Sequence, residues 1–181
     1  PDLPCDDDSA TLDDYADAVV EAIGDRRGLV VVGHSYGGFT APLVAARLRT
    51  DLLVFVAAMV PTPGERPADW WAATGYPQAV EAQARHDGGM TGSEDPFVCF
   101  YHDVPRPLAD EALRRERTES ASASDQPWPL AALPDVPARF VVCTEDRFFP
   151  ASFLRRVARE RLGVEAEEIP AGHCVALSRP R

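Results

Sequence analysis

The chain has 181 residues, enough for one domain with a buried core, and its 45% hydrophobic and 26% charged content is ordinary for a globular protein. Its net charge is −11, every one of its 18 basic residues is arginine, and no basic run occurs. Such a chain argues against nucleic acid and anionic membrane surfaces as partners. No stretch reaches the roughly 18 apolar residues that span a bilayer.

In chain order, Pro1–Pro4 reads as the end of a strand, and Asp6, Asp7, Asp8 and Ser9 follow as a polar turn. Thr11 is suited to cap a helix, with Asp13 and Asp14 in the positive first turn. Apolar Tyr15, Ala16, Val19, Val20 and Ile23 recur at helical spacing from Leu12 onward. Gly24 and Gly28 bracket the loop that follows. Leu29-Val30-Val31-Val32 then reads as a buried strand, and a helix is predicted over Phe39–Leu48.

Between them stands Gly33-His34-Ser35-Tyr36-Gly37-Gly38. A strand, a tight turn and a helix form the context in which G-x-S-x-G is a nucleophile elbow. The turn should hold Ser35 in a strained backbone conformation, with Gly33 and Gly37 removing Cβ atoms that would clash. The Tyr36 N–H would then point to where an oxyanion forms.

A second buried strand is predicted over Leu52–Ala58, stopped by Pro61-Thr62-Pro63-Gly64. Alternating strands and helices imply parallel βαβ units with helices on both faces of the sheet. Residues 61–137 show no strand pattern and read as a helical insertion into a core formed by 1–60 and 138–181. Helices are expected there at Ala68–Thr74, Gln78–Arg85 and Leu108–Arg117, with Thr118–Asp125 a mobile loop. The sheet resumes at Ala138–Cys143. A helix over Phe153–Leu162 and a short polar strand over Val164–Ile169 follow, with no helix after Ser178-Arg179-Pro180-Arg181.

A serine nucleophile needs a base, and the base an orienting acid. Of the four histidines, His34 flanks Ser35 within the elbow and should point away from it. His86 and His102 fall in the insertion, where His102 is read as making a local hydrogen bond. His173 follows the last strand in a glycine-flanked loop, giving the order serine, acid, histidine expected of an elbow hydrolase. For the acid, the loop after Ala138–Cys143 offers Glu145 and Asp146, both at the carboxyl edge of a parallel sheet where functional groups collect. Neither His86-Asp87 nor His102-Asp103 has metal-site spacing, and no phosphate-cradling loop is present, so no metal or cofactor is expected. Cys5, Cys99, Cys143 and Cys174 lie far apart, as reduced cysteines of a cytoplasmic protein would.

These residues together resemble an α/β-hydrolase, and more narrowly the esterase branch that includes plant methylesterases and hydroxynitrile lyases. The matching pieces are Pro1-Asp2-Leu3-Pro4, Gly33–Gly38, Cys143-Thr144-Glu145-Asp146-Arg147 and Ala171-Gly172-His173, in family order. The resemblance implies a mostly parallel sheet with a helical cap over residues 61–137. It also implies Ser35 as nucleophile, His173 as base, Asp146 as acid and Tyr36 as an oxyanion donor. The second oxyanion donor would come from a loop that the family carries before the point where this chain begins. The sequence is therefore expected to be an excerpt of a longer protein. The implied reaction is hydrolysis of a small or medium hydrophobic ester, with Trp70, Trp71, Phe100, Tyr101 and Trp128, and also Met90 and Phe97, as candidate pocket residues. Two alternatives are a lyase, disfavoured because family lyases use a cap lysine and this chain has none, and a non-catalytic small-ligand receptor. Oligomeric state is not legible.

Overall fold

Thr11 starts the first element. In the computed structural model, which describes residues 1–180, its side chain accepts from the Asp14 N–H at 3.2 Å. Asp14 Oδ2 accepts in return from the Thr11 N–H at 2.8 Å. This reciprocal cap, worth about 1 kcal/mol, opens helix α1 (Leu12–Ile23), which buries Leu12, Tyr15 and Ala16. The residues before it form no strand: Pro1–Pro4 is irregular, against expectation.

Strands β1 (Leu29–His34), β2 (Thr50–Val56), β3 (Ala138–Cys143) and β4 (Glu167–Ile169) form one parallel sheet in the order β1-β2-β3-β4. Helix α2 (Gly37–Arg47) connects β1 to β2. The register pairs Val31 with Leu53, Gly33 with Phe55, and Phe55 with Phe140, so these buried residues share a face. A sheet that grows in one direction through right-handed crossovers receives its connecting helices on one face. That accounts for the one departure from the expected layering: Val30 and Val32, on the other face of β1, are each 57% exposed.

Five helices fall between β2 and β3: α3 (Pro67–Ala73), α4 (Tyr76–Asp87), α5 (Pro96–Cys99), α6 (Arg106–Arg114) and α7 (Ser122–Asp125). The first, second and fourth lie near the predicted helices, each starting earlier because a proline or its neighbour occupies the first turn, where a missing N–H costs nothing. The stretch Thr118–Asp125, expected as a mobile loop, is instead fastened. Ser120 N–H donates to Cys5 O at 2.7 Å, and Ser122 Oγ donates to Ala10 O at 2.7 Å. After β3, helix α8 (Ala151–Val157) continues as a π-helical turn over Ala158–Leu162, and a one-turn helix α9 (Val175–Ser178) follows β4. Glu65 and Arg161 form a nearly buried ion pair that joins the loop before α3 to the π-helical turn after α8.

Candidate active site

All four strands deliver their following loops to the same carboxyl edge. Ser35 follows β1 with φ of +52°, a left-handed conformation that costs a side-chain-bearing residue energy. Three hydrogen bonds hold it there: Ser35 N–H donates to Val56 O at 3.2 Å, and Ser35 O accepts from Met59 N–H at 3.0 Å and Gly38 N–H at 3.1 Å. The glycines serve the turn differently from expectation. A Cβ on Gly33 would lie 2.8 Å from Gly37 O and 2.9 Å from Ala41 Cβ, as predicted for that position. A Cβ on Gly37 would meet nothing within 4 Å, whereas one on Gly38 would sit 1.8 Å from Met59 O. The second close approach is thus made at Gly38, where α2 packs on the loop after β2.

His173 Nε2 lies 3.0 Å from Ser35 Oγ, and His173 Nδ1 lies 2.7 Å from Asp146 Oδ2. The carboxylate is fixed from behind, since its Oδ1 accepts from Phe148 N–H at 2.7 Å and Phe149 N–H at 3.0 Å. Its side chain is fully buried. Of the two acids offered by this loop, Asp146 meets the histidine. Glu145 contributes its backbone, donating through N–H to Ala171 O at 3.1 Å and accepting from His102. The arrangement can pass a proton from the serine hydroxyl to the imidazole while a buried carboxylate stabilises the charge that forms. Among the described residues the Tyr36 N–H, at the start of α2, has no hydrogen-bond partner and is free for a substrate oxygen.

The Tyr36 side chain turns away, bonding Ser124 Oγ at 2.8 Å, and burial pushes its hydroxyl up to about 12. The His34 ring lies 4.8 Å from that of His173, and its Nε2 donates to the backbone carbonyl of His173 at 2.8 Å. Desolvation by its packed neighbours, and then the adjacent His173 ring, hold His34 below the usual histidine range, so the neutral donor form prevails.

Sequence reasoning named Phe100 but passed over Phe148 and Phe149 in the aromatic wall of the site. Phe148, Phe149 and Phe100 stand edge-on to the His173 ring at 5.1, 5.6 and 5.4 Å. Phe148 and Phe149 directly follow Asp146-Arg147, so their proximity to the acid was the available signal. Phe100 and Tyr101 also line a cavity of about 410 Å³ with Pro96, Leu113, Glu94 and Glu116. Trp71 is half-buried against Phe148 at 6.1 Å. Trp70 and Trp128 are a correction. Both are buried in the core, with Trp70 Nε1 donating to Val60 O at 3.0 Å and Trp128 Nε1 to Phe39 O at 2.9 Å. An indole whose bulk and single donor are both satisfied inside the protein offers nothing to a ligand. Met90 is 39% exposed, and Phe97 stacks under the Arg106 guanidinium at 3.7 Å. Among the described residues no cluster of three or more His, Cys, Asp or Glu is arranged to hold a metal, and no helix is long and apolar enough to cross a membrane.

Comparison with known proteins places this geometry among relatives. The family described as "Alpha/beta hydrolase family" matches residues 1–181. Norfluorocurarine synthase 1 of Strychnos nux-vomica is 24% identical over 204 residues, covering 97% of this chain and 74% of that protein. The crystal structure of polyneuridine aldehyde esterase superposes with a TM-score of 0.67 at 20% identity, over 96% of this chain and 76% of that one. An extracellular alpha/beta-hydrolase from a Paenibacillus species, described as sharing structural and functional homology with Tobacco Salicylic Acid Binding Protein 2, superposes with a TM-score of 0.72 at 21% identity, covering 96% and 77%.

Proposed function

The chain belongs to the alpha/beta hydrolase family, and from that premise we propose that it is a serine hydrolase of small or medium hydrophobic carboxylic esters. The observation that carries this reading is the continuous path from Ser35 Oγ through His173 to Asp146, with steps of 3.0 and 2.7 Å. In the proposed reaction Ser35 Oγ attacks the acyl carbonyl as His173 Nε2 takes its proton. The oxyanion is met by the Tyr36 N–H, and loss of one such donor costs about 3 kcal/mol of barrier. The imidazolium protonates the departing alcohol, leaving an acyl group on Ser35. Water, deprotonated by His173, then releases the acid and restores the serine. Residues 61–137 act as a cap, and Phe100, Tyr101 and Trp71 contact the ester.

Two kinds of relative bear on this. The solved neighbours include proteins named as an esterase and as a hydrolase, which supports hydrolysis. The curated relative is named a synthase, so the chemistry needs its own test. The full-length protein should be incubated with a fluorophosphonate probe and with a short-chain aryl ester, beside Ser35→Ala. Labelling and turnover that both vanish in the variant support the reading; a folded protein that neither labels nor turns over ester overturns it.

A further inference from the structure

We infer that His102 and Asp103 are positioning residues, a two-residue clasp on the cap that sets the alignment of His173 with Asp146 and Ser35. Asp103 Oδ2 accepts from the Gly172 N–H at 2.8 Å, immediately before His173. His102 Nε2 donates to the Glu145 carbonyl at 2.9 Å, immediately before Asp146. Two adjacent cap residues therefore hold the backbone beside the acid and the backbone beside the base.

Three further observations converge on this pair. The Asp103 side chain is only 10% exposed, and the Arg179 guanidinium, 3.7 Å from the same Oδ2 that holds Gly172, keeps it charged there. Gly172 is shaped to the clasp, because a Cβ there would lie 2.5 Å from Asp103 Oδ1 and 2.7 Å from His102 Nε2. The base loop also needs an outside anchor. It follows β4, a strand of three residues at the sheet edge. The acid loop has other ties to the cap at Arg147, whose carbonyl accepts from Gly92 N–H at 2.8 Å and whose guanidinium donates to Val98 O at 3.1 Å. Among the described residues, Asp103 is the only cap residue hydrogen-bonded to the loop carrying His173.

The inference rests on the proposed serine-hydrolase reading, and its test separates the two. In the full-length protein, two quantities are measured: the second-order rate of labelling by a small alkyl fluorophosphonate, and the far-downfield proton resonance of the His173–Asp146 hydrogen bond. Asp103→Ala should slow labelling about 10- to 100-fold, the cost of a misplacement of the order of 1 Å, and weaken the resonance. Asp103→Asn keeps an oxygen acceptor for Gly172 and should recover the rate to within about threefold. His102→Ala, at a half-exposed ring, should slow labelling by about three- to tenfold. A residue that only supported the fold would lower the melting temperature and leave both readouts of the folded fraction unchanged. The clasp is overturned by Asp103→Ala with normal rate and resonance, or by Asp103→Asn as slow as Asp103→Ala. If Asp103→Ala does not fold, His102→Ala decides by the same two readouts. A wild-type protein that fails to label sinks the hydrolase reading, while the resonance still reports the clasp.

Discussion

Ser35 Oγ and His173 Nε2 stand 3.0 Å apart across 138 residues of chain. Parallel strands make this possible, since every loop that follows a strand emerges at the same edge of the sheet. The serine's share of the geometry is stored as backbone strain, its φ of +52° held by hydrogen bonds to Val56 and Met59. The histidine's share comes from three attachments, its Nδ1 to Asp146, its carbonyl to His34, and the preceding N–H to Asp103.

Under the proposed mechanism, Ser35→Ala should lower kcat/KM for an aryl ester by about 10⁴-fold or more, with an unchanged melting temperature. Asp146→Asn should cost nearly as much, about 10⁴-fold in kcat. The two backbone donors on Oδ1 keep that oxygen in place, so the new amide nitrogen faces His173 Nδ1 and favours the wrong tautomer. Steady-state kinetics on both variants check this, and near-normal turnover by Asp146→Asn would remove the acid's assigned role.

The elbow, most of the strands and the order serine, acid, histidine were legible because each is a local pattern: four apolar residues before a glycine-flanked serine, an acid pair after a strand, a histidine after the last one. The choice of Asp146 over Glu145 came from the family resemblance and not from the pattern itself, because adjacent residues at a loop point in different directions, and it is the Phe148 and Phe149 N–H groups and His173 Nδ1 that hold Asp146 inward. Trp70 and Trp128 were misplaced because aromatic content in a cap does not reveal whether a ring faces the cavity or the core. His102 was read as a local contact, whereas its partner Glu145 lies 43 residues away. Contacts that join the insertion to the core leave no periodicity to read.

Gly37 and Gly38 should respond oppositely to alanine. Gly38→Ala drives a methyl to within 1.8 Å of a backbone carbonyl, which neither side can vacate cheaply. A loss of about 3 kcal/mol or more is expected. Gly37→Ala meets open space in the first turn of α2 and should leave stability unchanged or raise it by about 0.5 kcal/mol. Urea titration of the two variants separates them, and equal midpoints would contradict the close approach at Gly38.

Alkaline pH should weaken the fold through its buried thiols and phenol. Burial pushes the thiols of Cys143 and Cys174 from 9.0 up to about 12, and the Tyr36 hydroxyl from 10.0 to about 12. In each case the folded protein holds its proton more tightly than the unfolded chain does. The resulting stabilisation is complete below pH 9 and is lost progressively as pH rises toward 12. Urea midpoints measured from pH 7 to pH 11 should fall above pH 9, less steeply in Cys143→Ala; a flat profile would contradict the assignment.

Trp128 and Phe100 separate support from recognition within the insertion. Trp128 is buried, and its Nε1–H satisfies the Phe39 carbonyl on α2 at 2.9 Å. Trp128→Phe keeps most of the ring but removes that hydrogen bond, so it should cost about 1 kcal/mol of stability with kinetic constants per folded molecule unchanged. Phe100 is half-buried, edge-on to His173 at 5.4 Å, and borders the cavity of about 410 Å³. Phe100→Ala enlarges the space beside the base, so it should raise KM for a small ester while tolerating bulkier ones, at a smaller cost in stability. Melting temperatures together with a chain-length series of aryl esters read both effects. A Trp128→Phe variant with altered ester preference, or a Phe100→Ala variant with none, would reverse the two roles.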